Sequence, residues 1–96
     1  MEENEYLIIL YDYYGELLND LQRKYFELYY FDNLSLSEIG ENDSKSRNAI
    51  HKCIKSSSMK LYEYEEKLKL YENRCKIEEI IENIDDDIKN KIKELI

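Results

Sequence analysis

Between Ser44 and Tyr62 the chain carries Lys45, Arg47, Lys52, Lys55 and Lys60 and not one carboxylate. Asn48 and His51 stand among these cations. Side chains of this kind do recognition chemistry rather than covalent chemistry. Cations neutralise phosphates, whereas arginine and asparagine offer forked hydrogen-bonding groups that match guanine and adenine edges. On a helix in a major groove, Arg47 could reach guanine and Asn48 could pair with adenine, with His51 between them. Lys45, Lys52 and Lys55 would hold the phosphodiester backbone. The same cations would equally suit an outer helical face that only meets water, and residue types leave both readings open.

Other chemistries are hard to assemble from this sequence. His51 is the only histidine; two positions from Cys53, it faces another side of a helix, so the two do not share a metal. The segment GENDS (40–44) lacks the spacing and the lysine of a phosphate-binding loop. Glu63, Glu65 and Glu66 cluster, but a carboxylate run on a helical face is ordinarily solvation, and acid–base work needs a pocket that shifts a pKa. No enzyme, metal or cofactor is expected.

The acidic balance bounds the rest. The formal net charge is −8 over 96 residues, with twenty-two acids against fourteen cations. A protein that coats nucleic acid along its whole surface would not look like this, so any such contact is local. No proline or tryptophan, two glycines and ten tyrosines disfavour tight hairpins and suit an all-α chain of one small domain. No apolar run reaches the roughly 18 residues of a membrane span, and MEENEY is no signal peptide. Cys53 and Cys75 sit outside any CxxC pair, which fits reduced thiols and a cytoplasmic protein.

Positioning the basic segment requires helices, and apolar residues recur at helical spacing almost throughout. The periodicity predicts helices near 5–18, 20–31, 35–41 and 46–73, with two short ones after 76. Leu7, Leu10, Tyr11, Tyr14, Leu17 and Leu18 form the first buried stripe, and Leu21, Tyr25, Leu28 and Tyr29 the second. Asn19 with Gln22 and Ser35 with Glu38 read as capping boxes, Ser46 as a further cap, and Asp85–Asp87 as the acidic opening of a last helix.

The long fourth helix extends the pattern. Ile54, Leu61, Leu68 and Cys75 recur every seven residues, with Ser57, Tyr64 and Tyr71 at the alternate register. Unbroken, that helix would be a rod about 40 Å long projecting from the globule. Residues 1–60 are then a helix-turn-helix domain and 61–96 a helical extension for packing or dimerisation. The tail, with Ile77, Ile81, Ile84, Ile88, Ile92 and Leu95, could fold back on the rod; otherwise the rod finds a partner. A homodimer built on Ile54, Leu61, Tyr64, Leu68 and Tyr71 is the expectation.

EYLIILYDYYGELLNDLQRKYFELYYFDNLSLSEI, followed by SRNAI and LYEYEEKLKLYENR, closely resembles the YlxM family over about Glu5 to Arg74. These small bacterial proteins carry a helix-turn-helix similar to the DNA-binding C-terminal region of sigma factors. The resemblance implies a sigma-factor-like helix-turn-helix bundle with an extended fourth helix. It also implies an accessory or regulatory role in protein targeting, with the signal recognition particle GTPase or its RNA as partner. A DNA-binding transcriptional regulator is the alternative. Ser46, Arg47, Ala49, Ile54 and Lys55 match the family pattern around the turn. Gly40 replaces an alanine, Asp43 an aromatic and Lys45 a valine, while Asn48, His51-Lys52 and Ser56 also depart from it. These exchanges predict a looser turn, with Gly40 costing about 1 kcal/mol relative to alanine.

Overall fold

Six α-helices follow one another in the computed structural model, which describes residues 2–96: α1 (Glu3–Tyr14), α2 (Asp20–Tyr30), α3 (Leu36–Asn42), α4 (Arg47–Leu68), α5 (Leu70–Ile80) and α6 (Asp86–Lys93). A 3-10 turn, Gly15–Leu17, joins α1 to α2. No strand occurs among the described residues, so the chain is all-α as its composition predicts. None of the described helices is long and apolar enough to cross a membrane.

The helix starts follow from local chemistry. The Asn19 side chain accepts the Gln22 amide at 2.8 Å and the Gln22 side chain accepts the Asn19 amide at 3.1 Å. Ser35 and Glu38 repeat the exchange at 3.1 Å in both directions. Ser46 caps α4 through the Ala49 amide, and Asp85 caps α6 through Asp87 and Ile88. Each cap satisfies amides that the first helical turn leaves without a partner.

Two apolar clusters hold the globule together. Leu7, Leu10, Tyr14, Leu18, Phe26 and Leu61 join α1 to α2 and α4, with half-buried tyrosines around them. Tyr25, Leu36, Ile39, Ile50 and Ile54 join α2, α3 and α4. The expected stripes need correction in two places. The 3-10 turn over Gly15–Leu17 rotates Leu17 outward, where it is 55% exposed. On α2 Phe26 is fully buried beside the expected Tyr25 and stacks on Tyr11 at 4.5 Å between ring centroids, while Leu21 points to solvent.

The long rod is not formed. After Leu68 the backbone of Lys69 turns left-handed (φ 55°) and α5 starts at once. Twenty-two residues make α4 about 33 Å long rather than 40. Because of the break, α5 already begins at Leu70, and one short helix, α6, rather than two begins after residue 76. The heptad series accordingly lies on no single surface. Ile54 and Leu61 belong to the chain's own core, Tyr64 and Tyr71 are half-buried against it, and Leu68 and Cys75 are exposed. Helix α4 also runs without interruption across residue 60, with Leu61 wholly buried against α1.

The tail leaves the globule. The molecule measures 55 × 24 × 23 Å, and its radius of gyration is 16.8 Å. A close-packed chain of this length has a radius of gyration of about 12–13 Å. Helix α5 packs on α1 and α4 through its first turns, but α6 makes no substantial packing with any helix of the globule. Ile80, Ile84, Ile88 and Leu95 stay exposed along this projection.

Candidate nucleic-acid interface

Helices α3 and α4, joined by the turn Asp43–Ser46, form the helix-turn-helix, with α2 packed behind both. Ile39 of α3 and Ile50 and Ile54 of α4 meet Tyr25 of α2 in the second apolar cluster. That packing fixes the inner face of α4 and thereby decides which of its residues point outward.

The turn closes on glycine and on charge. The Lys45 amide donates to the Gly40 carbonyl at 2.7 Å, and Ser44 takes a left-handed conformation (φ 55°). A Cβ added to Gly40 would lie 2.5 Å from the Lys45 carbonyl oxygen. Glycine is therefore what lets α3 and the turn approach this closely, which reverses the expectation that alanine would serve better. The expected looseness at Asp43 and Lys45 is corrected as well. Asp43 accepts the Tyr25 hydroxyl at 2.7 Å and the Lys24 ammonium at 2.9 Å. The Lys45 ammonium lies 5.4 Å from the centroid of the Tyr25 ring. Tyr25 and then Lys24 hold the Asp43 carboxyl below its ordinary pKa, while burial, followed by the bond to Asp43, raises the Tyr25 phenol. Tyr25, Lys24 and Asp43 thus form a polar clamp on the turn.

The basic residues share one face. Arg47, Asn48, His51, Lys52 and Lys55 are all exposed. At 100° per residue they fall within an arc of roughly 140°, with Asn48 and Lys52 opposite the buried side of Ile50, Ile54, Ser57 and Leu61 and Arg47 at the edge nearest Ile54. No salt bridge engages any of them among the described residues. Lys45 precedes the helix and leans over Tyr25, so it sits at the edge of the face rather than on it. Met59 and Lys60 continue the exposed side toward the middle of α4. A helix presenting short polar groups and cations in its first two turns has the form that enters a major groove. Cys53 is half-buried, and burial raises its thiol pKa. The described residues contain no cluster of potential metal ligands around it.

Sequence reasoning missed Lys24, Tyr25 and Asp43 as one unit. Tyr25 was legible only as a core residue; its hydroxyl reaches the turn because α2 lies directly behind it. The available signal was a charge of each sign, Asp43 and Lys45, on either side of a residue that turns left-handed.

The whole chain, residues 1–96, matches the family described as "Putative helix-turn-helix protein, YlxM / p13 like". A UPF0122 protein of Clostridium kluyveri is 46% identical over 100 residues, covering 100% of this chain and 90% of its own length. One from Clostridium perfringens is 41% identical over 104 residues, covering 98% and 93%. One from Halalkalibacterium halodurans is 45% identical over 75 residues, covering 78% and 69%.

Proposed function

The chain belongs to the YlxM/p13-like family of helix-turn-helix proteins, and from that premise we propose that it is a non-enzymatic regulatory protein that binds nucleic acid through the basic face of α4. The observation that carries this reading is the isolated charge. Five cations and no acid lie between Ser44 and Tyr62, whereas the remaining residues hold nine cations against twenty-two acids. An acidic body repels phosphate everywhere except at such a face, so binding is confined to one orientation. Arg47 and Asn48, in the first turn of α4, read base edges, and Lys52 and Lys55 neutralise phosphates.

Duplex DNA fits this face better than duplex RNA. The major groove of B-form DNA admits a helix, whereas that of A-form RNA is too narrow and deep for side chains to read. The targeting role implied by the sequence resemblance rests on that resemblance alone. It enters the test as a competing polymer.

The test is a salt titration of binding to labelled mixed-sequence duplex DNA, with the parent chain and with Arg47→Ala/Lys52→Ala/Lys55→Ala. Each phosphate contact contributes about 0.9 to the log–log slope, so the loss of Lys52 and Lys55 should lower the slope by about 1.8, and the loss of Arg47 with them should remove nearly all affinity. Equal binding by the two proteins refutes the interface. Displacement of the DNA by signal recognition particle RNA, but not by an unrelated RNA of equal length, would move the reading to protein targeting.

A further inference from the structure

The acid-free stretch of α4 runs on past the residues already placed against nucleic acid. Arg47, Asn48, Lys52 and Lys55 occupy the opening turns, yet no carboxylate appears before Glu63, about two turns beyond Lys55. In a chain with twenty-two acids among 96 residues, that continuation keeps a longer surface compatible with phosphate.

One residue of the continuation is of a different kind. Met59 is 61% exposed, and between Arg47 and Lys67 no other large apolar side chain of α4 is exposed. At 100° per residue Asn48 and Met59 lie within about 20° of each other, on the side opposite Ile50, Ser57 and Leu61. Lys55 and Lys52 stand about 30° to either side of the line that joins them. Two carboxylates close this ridge. Glu66 stands on it two turns beyond Met59, and Glu63, paired with Lys67 at 3.3 Å, stands beside it. Both repel phosphate, so the contact stops after Met59.

From Asn48 to Met59 the ridge is about 16 Å long, which matches about five base pairs at about 3.4 Å each. A groove about 12 Å wide admits a helix laid along it, and the ridge then faces base edges at both ends. Lys52 and Lys55, leaning to opposite sides on their long stems, reach the two phosphate strands. Among the standard bases thymine alone offers an apolar group in the major groove, its 5-methyl. A methionine side chain, unbranched and polarizable, covers such a group without demanding one geometry.

Resting on the reading of α4 as a major-groove helix, we propose that Met59 is a specificity-determining residue. It covers the 5-methyl group of a thymine at the far end of the contact, about five base pairs from the base that Asn48 reads. Asn48 and Met59 thus set the two ends of the site, and the lysines between them set its affinity.

The test removes one methyl group at a time. The parent chain selects a site from a random duplex library, and each thymine of that site is exchanged singly for deoxyuridine, which lacks only the methyl. One exchange, about five base pairs from the position that Asn48→Ala relaxes, should weaken the parent about fourfold and leave the salt slope unchanged. Met59→Gln, its helicity checked by circular dichroism, should bind the original site about fourfold more weakly and no longer feel that exchange. Met59→Leu, which keeps an apolar side chain, should still feel it. The role of Met59 is overturned, with the interface left standing, if the selected site has no thymine at that distance, if no exchange weakens the parent, or if Met59→Gln feels the exchange as strongly. Duplex binding that survives Arg47→Ala/Lys52→Ala/Lys55→Ala refutes the interface itself, and Met59 with it.

Discussion

The Tyr14 hydroxyl donates to the Glu65 carboxylate at 2.6 Å, joining α1 to the end of α4 across fifty-one residues of sequence. The same carboxylate accepts the Tyr71 and Glu72 amides at 3.1 and 3.0 Å, and the Tyr14 oxygen accepts the Leu70 amide at 3.1 Å. Three of the first amides of α5 are thus satisfied by two buried side chains, one contributed by α1 and one by α4. This is why α4 stops at Leu68 with neither glycine nor proline to end it: a carboxylate one turn back captures the start of a new helix.

Replacing Glu65 by alanine should therefore do more than remove a surface charge. It strands the buried Tyr14 hydroxyl and two α5 amides, at a cost of about 3 kcal/mol in urea unfolding. Tyr14→Phe, which leaves Glu65 its two amides, should cost about 1–2 kcal/mol. The double variant should cost less than the sum, because both changes break one network. A Glu65→Ala protein as stable as the parent would mean that the junction is held by apolar packing alone.

The junction also sets the alkaline limit of the fold. Burial first, and then the bond to Glu65, push the Tyr14 phenol from 10.0 up to about 12. Because the folded value lies above the unfolded one, the contribution is complete below pH 10 and is lost as pH rises through 12. Tyr6, Tyr11, Tyr25, Tyr30, Tyr62 and Tyr71 are shifted in the same direction. Stability followed against pH should therefore decline on the alkaline side of 10, and the decline should be shallower in Tyr14→Phe. A decline of equal steepness in the two proteins would remove Tyr14 from the account.

Gly40→Ala should destabilise the helix-turn-helix. Helix propensity alone favours the alanine by about 1 kcal/mol. The added methyl, however, meets the Lys45 carbonyl oxygen at 2.5 Å, and that atom belongs to the backbone of the turn. Forcing the turn open should cost about 1–3 kcal/mol net, read as a lower thermal midpoint. A gain in stability would mean that the turn relaxes freely and that the close approach of Lys45 to Gly40 is incidental.

What was legible in the sequence was whatever local chemistry decides. Asn19 with Gln22, Ser35 with Glu38, Ser46 and Asp85 all cap the helices their spacing predicts, because a cap is settled within four residues. The interruption at Lys69 was illegible because the Glu65 carboxylate that causes it acts together with Tyr14, which lies in another helix. Heptad spacing then linked Ile54 and Leu61 to Leu68 and Cys75 as though one straight helix carried all four. The basic face of α4 was legible as a set of residues, and its outward orientation followed from Ile50 and Ile54 pointing inward. The clamp at Asp43 was not, since reading it requires knowing that Lys24 and Tyr25 stand behind the turn.

That orientation separates two kinds of residue on α4, and so separates affinity from specificity. Asn48, exposed in the first turn, carries no charge and gives phosphate nothing beyond an ordinary hydrogen bond. If it reads adenine, Asn48→Ala should cost about 1–3 kcal/mol on a selected site yet leave binding to random duplex and its salt slope unchanged. Lys52→Ala should behave in the opposite way, weakening all duplexes alike and lowering the slope by about 0.9. Both residues are exposed and Lys52 forms no salt bridge among the described residues, so neither change threatens the fold. Selection from a random duplex library with the parent and with each single variant reads both effects in one experiment. Should Asn48→Ala enrich the same sequence as strongly as the parent, the first turn of α4 does not read bases, and the face is a phosphate-binding surface only.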